Sequence, residues 1–459
     1  MEEALADPDL AGDPCPPLDH DVSADVVVLG GGYTGMWTAW FLKEREPSVD
    51  VVVLEQDICG GGPSGRNGGF CNAVWEELPL LVRTLGERGA LRTARAAERS
   101  IEEIGSWCER NDVDAWFAAT GHLGVATALA HDGAWEETVR EADRLAGRGR
   151  FTVLSRDEVR ARCDSPLFRG GMLAPDAAML QPARLARGLR RALLKRGVRI
   201  HEFTPVRRLR GTPPVIVNTP GGTVRAEHAV LALGAWAAQH PRFKRTVLPR
   251  GSYIVVTQPA PDRLAELGWT GGEGIYDFRT ALRYVRTTRD GRIAFGSASS
   301  RAGLGTGLGP RLRYDEATVS TLVHDLHRWF PPFREVPIEA AWGGPIDVTG
   351  LHLPFFGTLS KGTVTYGLGY TGGGVGPCHL GGKILSGLAL GVEDEHTTLP
   401  LVGLEPKPFP PEPFLSVGAL LAHEAIVRND EANARGKRAD ALTRALAHLP
   451  RRLGYEIGP

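Results

Sequence analysis

Asp25-Val-Val-Val-Leu-Gly30-Gly-Gly32-Tyr-Thr-Gly35 is the stretch that decides the fold. The apolar run predicts a strand, and the spaced glycines predict a tight turn that leads directly into a helix. Gly30 permits the turn, Gly32 lets the backbone approach a pyrophosphate, and Gly35 lets the helix pack closely on the strand. Phosphates bind the free N–H groups at the start of such a helix. The stretch therefore predicts a dinucleotide-binding unit.

Two features directly downstream extend this prediction. A second apolar strand, Val51–Leu54, is followed by Glu55, at a position where an acid can bind a ribose diol. A second glycine-rich loop then reads Gly60-Gly-Gly-Pro-Ser64-Gly-Arg66-Asn67-Gly68-Gly69. A loop this small and polar can lie against a flat ring system and offer it many backbone donors. Enzymes that use only a nicotinamide dinucleotide do not need such a loop, so it favours a flavin dinucleotide.

The second loop also carries a family resemblance. Gly62–Gly69 resembles the flavin loop of D-amino-acid-oxidase-like FAD oxidoreductases, and is most similar to the gamma-glutamylputrescine-oxidase branch, alongside glycine and sarcosine oxidases. The resemblance implies tightly bound FAD. Some sarcosine-oxidase relatives attach FAD to a cysteine in the region that aligns with Trp342–Gly344, where this chain has none. Noncovalent FAD is therefore expected, with Cys378 as an outside candidate for attachment.

A third glycine-rich segment lies near the end of the part of the chain that resembles this family. Gly367-Leu-Gly-Tyr370-Thr371-Gly372-Gly-Gly374-Val375-Gly376 precedes a helix predicted over Leu380–Gly391. In the family this loop lies by the pyrimidine end of the flavin. Backbone dipoles of Gly372, Gly373, Gly374 and Val375 are expected to stabilise negative charge on the reduced ring. No general base is assigned, because the cofactor carries out the difficult step.

The resemblance implies further contacts with FAD at Val206, at the end of the strand Ala229–Leu233, and where Trp342–Gly344 returns to the cofactor. The residues expected to hold FAD are Gly30, Gly32, Tyr33, Thr34, Gly35, Glu55, Gln56, Ser64, Gly65, Arg66, Asn67, Gly68, Gly69, Val206, Gly234, Trp236, Gly344, Gly372, Gly373, Gly374 and Val375.

Substrate recognition is expected on a second sheet. Residues 250–297 alternate as strands do, with a hairpin signal at Asp290-Gly291, so the sheet should be mostly antiparallel. Tyr284 and Arg286 share a face, and Arg286 either grips a substrate carboxylate or is a solvated strand arginine. The other candidates for substrate contact are Tyr253, Phe70 and Tyr370.

The predicted fold is α/β with an α+β substrate part: a Rossmann-like FAD-binding domain interleaved with a mostly antiparallel substrate domain. The predicted boundaries are 1–23 for an N-terminal surface arm, 24–75, 178–249 and 335–404 for the FAD-binding domain, 76–177 and 250–334 for the substrate domain, and 405–459 for a Pro-rich connector and a C-terminal helix.

Composition and charge limit the classes of partner that are expected for this chain. The 459 residues carry a formal net charge of −1, so neither nucleic acid nor a membrane surface is expected as a partner. The six cysteines have no metal-ligand spacing, so no metal site is expected, and reduced thiols fit a cytoplasmic protein. A small-molecule substrate is expected, and the C-terminal helix packs either on the body or on a partner subunit, which makes a homodimer possible.

Three functions remain open at this point. The first is FAD-dependent oxidation of a small amine or amino-acid-like C–N bond. The second is an FAD-dependent reductase or dehydrogenase of specialised metabolism, with NAD(P)H as a transient donor. This reading is suggested because several oxidases place a lysine over the flavin, whereas no lysine lies between Lys244 and Lys361. The third is a flavin-binding protein without turnover.

Overall fold

The protein, described here as a computed structural model over residues 1–297 and 307–456, is built around two eight-stranded sheets. Its strands are β1 (Val22–Leu29), β2 (Val51–Leu54), β3 (Phe70–Cys71), β4 (His122–Val125), β5 (Thr152–Leu154), β6 (Gly171–Ala174), β7 (Ala178–Met179), β8 (Arg199–His201), β9 (Arg208–Arg210), β10 (Val215–Asn218), β11 (Thr223–Leu231), β12 (Leu248–Thr257), β13 (Gly274–Asp277), β14 (Arg283–Thr287), β15 (Ile293–Ser297), β16 (Ile338–Val348), β17 (Phe355–Leu359) and β18 (Val364–Leu368).

The helices, apart from short 3₁₀ turns, are α1 (Glu2–Ala6), α2 (Pro8–Ala11), α3 (Tyr33–Arg45), α4 (Leu78–Arg110), α5 (Glu136–Ala146), α6 (Arg156–Arg162), α7 (Pro182–Lys195), α8 (Pro261–Glu266), α9 (Glu316–Trp329), α10 (Val375–Ala389), α11 (Phe414–Ala434), α12 (Ala441–Ala447) and α13 (Leu449–Arg452). None of them, within the described residues, has an apolar stretch long enough to cross a bilayer.

The first sheet is the predicted nucleotide-binding sheet. Its order is β17-β18-β11-β1-β2-β8, and β1 pairs in parallel with both β2 and β11. The last four residues of β1 and all of β2 are buried, as expected for strands covered on both faces. Because parallel strands share a direction, their carboxyl ends meet at one edge, where ligands of such sheets bind.

The second sheet has the order β16-β12-β15-β14-β13-β4-β6-β5, and only its β13–β4 pair is parallel. One face packs on α9 through a core that includes Tyr253, Phe295 and Trp329. The other face lies over the loops of the first domain. The mostly antiparallel substrate sheet is therefore present.

One predicted boundary is wrong. Ile338–Val348 was assigned to the FAD-binding domain, yet it forms β16, the edge strand of the second sheet. It pairs with β12 from Leu248↔Val348 to Thr257↔Ile338. Gly343, Gly344 and Pro345 weaken its local preference for a strand, and the long pairing with β12 overrides that preference.

The N-terminal segment is not a surface arm. Leu10 and Leu18 are buried, and α1 and α2 lie on α7. The Arg184 guanidinium forms ion pairs with Glu3 at 2.7 Å and Asp7 at 2.6 Å. The arginines of α7 thus fix the segment against the nucleotide-binding domain.

The C-terminal region differs from the single helix that was expected, because it folds into α11, α12 and α13. The buried Asp430 carboxylate on α11 accepts a hydrogen bond from the Ala281 N–H at 3.0 Å. This contact attaches α11 to the second sheet of the same chain.

Candidate functional site

The turn after β1 is where three segments of the first sheet meet. The Gly30 N–H donates to the Leu54 carbonyl at 2.9 Å, and the Ala232 N–H donates to the Leu29 carbonyl at 2.9 Å. Gly30 has a φ of +113°, and a Cβ there would overlap the Ala232 carbonyl. A Cβ on Gly35 would likewise overlap the Gly30 carbonyl. Only glycine fits these two positions, so the turn has the close packing that the spacing predicted.

The start of α3 faces the second glycine loop. The Tyr33 N–H donates to the Ser64 hydroxyl at 2.9 Å, and a Cβ on Gly32 would lie 3.0 Å from that oxygen. The side chains point elsewhere, because the Tyr33 hydroxyl donates to the Pro182 carbonyl at 2.7 Å and the Thr34 hydroxyl donates to Cys378 Sγ at 3.1 Å. The side chains of Tyr33 and Thr34 therefore have partners of their own, and the Tyr33 N–H is held by Ser64.

Glu55 lies at the end of β2 beside this turn. Its carboxylate accepts hydrogen bonds from the Gly31 N–H at 2.7 Å and the Asp57 N–H at 2.9 Å. Burial raises the pKa of Glu55, and these backbone donors lower it. The Glu55 carbonyl also accepts from the Thr204 N–H at 2.7 Å, which brings Val206 close to the same strand end. Gln56 is exposed next to them.

The flavin loop, Gly60–Gly69, is held by its own side chains. Asn67 Nδ2 donates to the Ser64 carbonyl at 2.9 Å, and Asn67 Oδ1 accepts from the Gly69 N–H at 2.8 Å. Arg66 Nε donates to the Gly61 carbonyl at 2.7 Å. Arg66 and Asn67 therefore shape the loop, which leaves its outer backbone groups to meet a ligand.

The flavin loop is also fixed to the second sheet. Trp342 Nε1 donates to the Arg66 carbonyl at 2.8 Å, and a Cβ on Gly344 would lie 3.9 Å from Arg66 Cβ. At its end the loop passes so close to the second sheet that a Cβ on Gly68 would lie 2.8 Å from Tyr284 Cε2. Gly344 and Tyr284 thus lie beside the loop, as the sequence predicted.

Arg286 is buried against the end of this loop. A Cβ on Gly69 would lie 2.8 Å from Arg286 Nη1, and that nitrogen donates to the Leu180 carbonyl. Burial lowers the pKa of Arg286 to about 10. The reading of Arg286 as a solvated strand arginine is therefore wrong. Its guanidinium already has a backbone partner, which leaves fewer N–H groups for a substrate carboxylate.

Phe70 and Tyr284 form an aromatic wall next to the loop. Their ring centroids are 5.6 Å apart, in an edge-to-face arrangement. The Tyr284 hydroxyl lies 3.0 Å from the Ser252 hydroxyl, which connects β14 to β12 across the sheet. Both predicted residues are thus on the face that looks toward the flavin loop.

Two predicted substrate residues lie elsewhere. Tyr253 is 1% exposed in the core on the opposite face of the second sheet, and its hydroxyl donates to the Arg311 carbonyl. Tyr370 packs against Phe356 at 6.3 Å, with its hydroxyl directly over Gly381 on α10. Tyr253 faces the core because strand residues alternate and its neighbour Ser252 takes the outward face. Tyr370 is turned away because its ring packs on α10.

The third glycine segment forms a loop in front of α10. This helix begins at Val375 with Gly374 as its N-cap, five residues before the predicted start at Leu380. Gly372 has a φ of +92°, which favours glycine. The Asp347 carboxylate accepts a hydrogen bond from the Gly369 N–H at 2.6 Å, and burial raises its pKa to about 6. One buried acid thus holds the start of this loop.

The third glycine segment contacts Asn72, which follows the flavin loop and β3 in the chain. A Cβ on Gly376 would lie 2.8 Å from the Asn72 carbonyl, and one on Gly373 would lie 3.8 Å from Asn72 Nδ2. Among the described residues, the polar atoms near these loops that are buried without a hydrogen-bond partner include Asn72 Oδ1, Arg250 Nη1, Arg286 Nε and Thr349 Oγ1. Unpaired buried polar atoms are costly, so this arrangement fits a polar ligand that would supply their partners.

Gly234 and Trp236 follow the end of β11 in a 3₁₀ turn, Gly234–Gln239, at the same edge as Gly30. Gly234 has a φ of +51°, and Trp236 is partly exposed. Gly30, Glu55 and Gly234 therefore follow the carboxyl ends of β1, β2 and β11, whereas Gly344 lies within β16 of the second sheet.

The described residues show neither a reactive thiol at Cys378 nor a metal site near these loops. Burial raises the pKa of Cys378 to about 12, which keeps its thiol protonated. Among residues 1–297 and 307–456, no group of His, Cys, Asp or Glu side chains is arranged to hold a metal ion.

The sequence analysis missed several polar residues of this site. Arg250 is paired with Ile346, whose Cδ1 would lie 3.4 Å from a Cβ on Gly372. Burial lowers the pKa of Arg250 to about 10. The available signal was strand alternation: with Tyr253 in the core, Arg250 and Ser252 must face the loops. Asp347 carried no signal of its own, because it lies within a strand that was not predicted.

Comparisons with known proteins agree with this geometry. A family model described as FAD dependent oxidoreductase matches residues 25–388. Gamma-glutamylputrescine oxidoreductase of Escherichia coli is 29% identical over 411 residues, which cover 88% of this chain and 92% of that protein. Glycine oxidase of Geobacillus kaustophilus is 26% identical over 352 residues, which cover 72% of this chain and 84% of that protein.

Solved structures share the fold. The crystal structure of glycine oxidase from Geobacillus kaustophilus has a TM-score of 0.67 at 21% identity, and covers 81% of this chain and 96% of its own. L-proline dehydrogenase from P. horikoshii has a TM-score of 0.68 at 18% identity, and covers 84% of this chain and 96% of its own. The family match spans most of both domains and includes all three glycine-rich segments. This chain therefore belongs to the FAD-dependent oxidoreductase family of D-amino-acid-oxidase-like flavoenzymes, and is an FAD-dependent oxidoreductase.

Proposed function

We propose that this protein oxidises a C–N bond of a small amine or amino-acid-like molecule, with FAD bound noncovalently. Two relatives that cover most of the chain are named for such substrates, gamma-glutamylputrescine and glycine. The observation that carries the proposal is the set of buried polar atoms without hydrogen-bond partners on Asn72, Arg250, Arg286 and Thr349, which lie around the flavin loop and the third glycine segment.

The first domain would bind the dinucleotide. Backbone N–H groups at the start of α3 would bind the pyrophosphate, and Glu55 would bind the ribose at the end of β2. Ser64, whose hydroxyl lies at 2.9 Å from the Tyr33 nitrogen, would order the flavin loop against the same phosphates. FAD, when bound, supplies hydride acceptance from the C–H bond next to the substrate nitrogen.

The loop before α10 supplies charge stabilisation. The N-terminus of α10 carries a partial positive charge, and the loop 371–374 brings its backbone to the crevice beside Asn72. Negative charge that develops near this loop would be stabilised without movement of the protein. Asp347 holds the loop through Gly369 and therefore acts as a positioning residue.

Arg250 is the better candidate for a substrate carboxylate. Arg286 donates to the Leu180 carbonyl, whereas Arg250 has no ion pair among the described residues, and residues 298–306 contain no Asp or Glu. A buried guanidinium without a partner is favourable only when an anion joins it. Arg250 and Ser252 would thus hold the carboxylate of an amino-acid-like substrate.

The test is anaerobic mixing of the purified yellow protein with a panel of amines, amino acids and nicotinamide dinucleotides. Loss of the flavin absorbance near ~450 nm with amines or amino acids is the expected result. Loss with NAD(P)H alone would replace this proposal by a reductase, and no loss with any compound would favour a binding protein. Acid precipitation should release the flavin into the supernatant, and a yellow pellet would contradict noncovalent binding.

A further inference from the structure

A separate polar cluster lies next to the aromatic wall formed by Phe70 and Tyr284. The Tyr276 hydroxyl donates to Glu76 Oε1 at 3.2 Å, and His122 Nδ1 lies 3.8 Å from the same oxygen. The Phe70 and His122 rings are 4.9 Å apart. None of Glu76, His122 and Tyr276 is among the residues placed around FAD.

The cluster is reached from the flavin loop through one layer of aromatic side chains. Tyr276 is the cross-strand partner of Tyr284, which packs on Gly68. Phe70 lies between Tyr284 and His122, at 5.6 and 4.9 Å. The Glu76 side chain is 16% exposed, whereas the His122 side chain beside it is 2% exposed.

His122 does not neutralise this acid. Its Nε2 lies 3.3 Å from the Ala178 carbonyl, which can only accept, so Nε2 carries the proton and Nδ1 turns a lone pair toward Glu76. Burial lowers the pKa of His122 to about 4, which leaves the ring uncharged at pH 7.

No other cation serves Glu76 either. Within the described residues, neither Glu76 nor the adjacent Glu77 forms an ion pair with Lys or Arg. Burial raises the pKa of Glu76 to about 7, and burial together with the charge of Glu76 raises that of Glu77 to about 8. The ionised acids are therefore disfavoured here until a positive group joins them.

Glu202 is a buried acid of this chain with a structural role, and its partners can be compared with those of Glu76. It pairs with Arg190 at 3.1 Å and accepts backbone hydrogen bonds from Cys15 and Cys59, each at 2.7 Å. These partners hold the pKa of Glu202 below its ordinary value despite burial. Glu76 is less deeply buried than Glu202 and, within the described residues, has none of its cationic partners, which is the pattern of a binding group.

We propose that Glu76 binds a second, protonated nitrogen of the substrate, away from the C–N bond that is oxidised. Tyr276 orients the carboxylate through its hydroxyl. The substrate class is thus small amines with two basic nitrogens. This inference deepens the proposed function and rests on it for the place of the reacting bond.

The test uses the FAD-bound protein and two probes with the same carbon chain, 1,4-diaminobutane and 1-aminobutane. Each is titrated anaerobically while the flavin spectrum reports binding and bleaching. Because a hydrogen bond to a charged group is worth about 1.5–3 kcal/mol, the diamine should bind ~10- to 100-fold more tightly. Glu76→Gln should remove that preference and leave the monoamine unchanged. Tyr276→Phe should reduce it by a smaller factor.

Glu102→Gln, which removes the same charge from an exposed position on α4, serves as the matched control and should keep the preference. Equal binding of the two probes by the unaltered protein would overturn the inference. So would equal weakening of both probes by Glu76→Gln, because Glu76 would then hold the reacting nitrogen. If neither probe bleaches the flavin while the spectral titration still depends on Glu76, the cation site stands and the proposed amine oxidation fails for these amines.

Discussion

The turn after β1 and the loop before α10 both consist of glycines in front of a helix, yet they are held in different ways. At Gly30 and Gly35 a Cβ would overlap backbone carbonyls, so the turn is fixed by contact between main chains. At Gly373 the nearest atoms to a Cβ lie at 3.7 Å or more, and the loop is held from outside by Asp347. The first turn has no room for a side chain at either glycine, whereas the second loop has room at Gly373 and its start is held by an acid that is distant in sequence.

The largest expected effect is that of Gly35→Ala. The new Cβ would collide with the Gly30 carbonyl, and neither backbone can move without separating β1 from α3. We expect loss of bound FAD and a fall of about 3 kcal/mol in the free energy of unfolding. Flavin-to-protein ratio and urea unfolding measure the two effects. Gly373→Ala is the matched control and should keep its flavin with a change below about 0.5 kcal/mol.

Asp347→Asn comes next and tests whether the second loop is held by this acid. The amide keeps the shape but weakens the charged hydrogen bond to the Gly369 N–H, at a cost of about 1–3 kcal/mol. FAD should stay bound, and bleaching by substrate should slow about tenfold because the loop would no longer be fixed near the reduced ring. An unchanged bleaching rate in stopped-flow would show that the loop needs no such support.

The pH dependence of the free energy of unfolding tests the raised pKa of Asp347. Its pKa is raised to about 6 in the folded chain, against about 3.9 when unfolded, so the folded state binds more protons between those values. The free energy of unfolding should therefore fall by about 2 kcal/mol, on account of this group, as pH rises from 4 to 6. Asp347→Asn should lack that part of the slope in urea unfolding series. Identical slopes for the two proteins would contradict the raised pKa.

Replacement of Arg250 is expected to affect only the substrates that carry a carboxylate. Arg250→Gln should weaken binding of carboxylate-bearing substrates by about 10- to 100-fold and leave simple amines unchanged, since one charged hydrogen bond is lost. Flavin content should stay the same. Arg286→Gln is the comparison, because its loss should loosen the flavin loop at Gly69 for every substrate. If Arg286→Gln alone discriminated against carboxylates, the original assignment would be restored.

Glu55→Gln gives the smallest effect. The amide can still accept from the Gly31 N–H but holds a ribose less tightly, so FAD affinity should fall about tenfold without unfolding the chain. Equilibrium dialysis against FAD would measure this. An unchanged dissociation constant would remove Glu55 from the cofactor site.

The same contrast explains what the sequence could predict. Gly30, Gly35 and Glu55 belong to one continuous segment whose spacing sets both the fold and the ligand, so they could be found by reading along the chain. Asp347 and Arg250 lie on β16 and β12, and their roles follow only from the pairing of those strands. β16 was missed because Gly343-Gly344-Pro345 interrupts the local strand pattern, and Tyr253 was misplaced because alternation alone does not say which face is inward.

The N-terminal segment has a practical consequence for handling the protein. The Met1 side chain reaches the underside of the flavin loop, where a Cβ on Gly65 would lie 2.8 Å from Met1 Cε. Burial lowers the pKa of the Met1 amino group. Substitution of Met1, or of the α1 residues that place it, would remove this contact, so the flavin content should be measured for any variant altered in this segment.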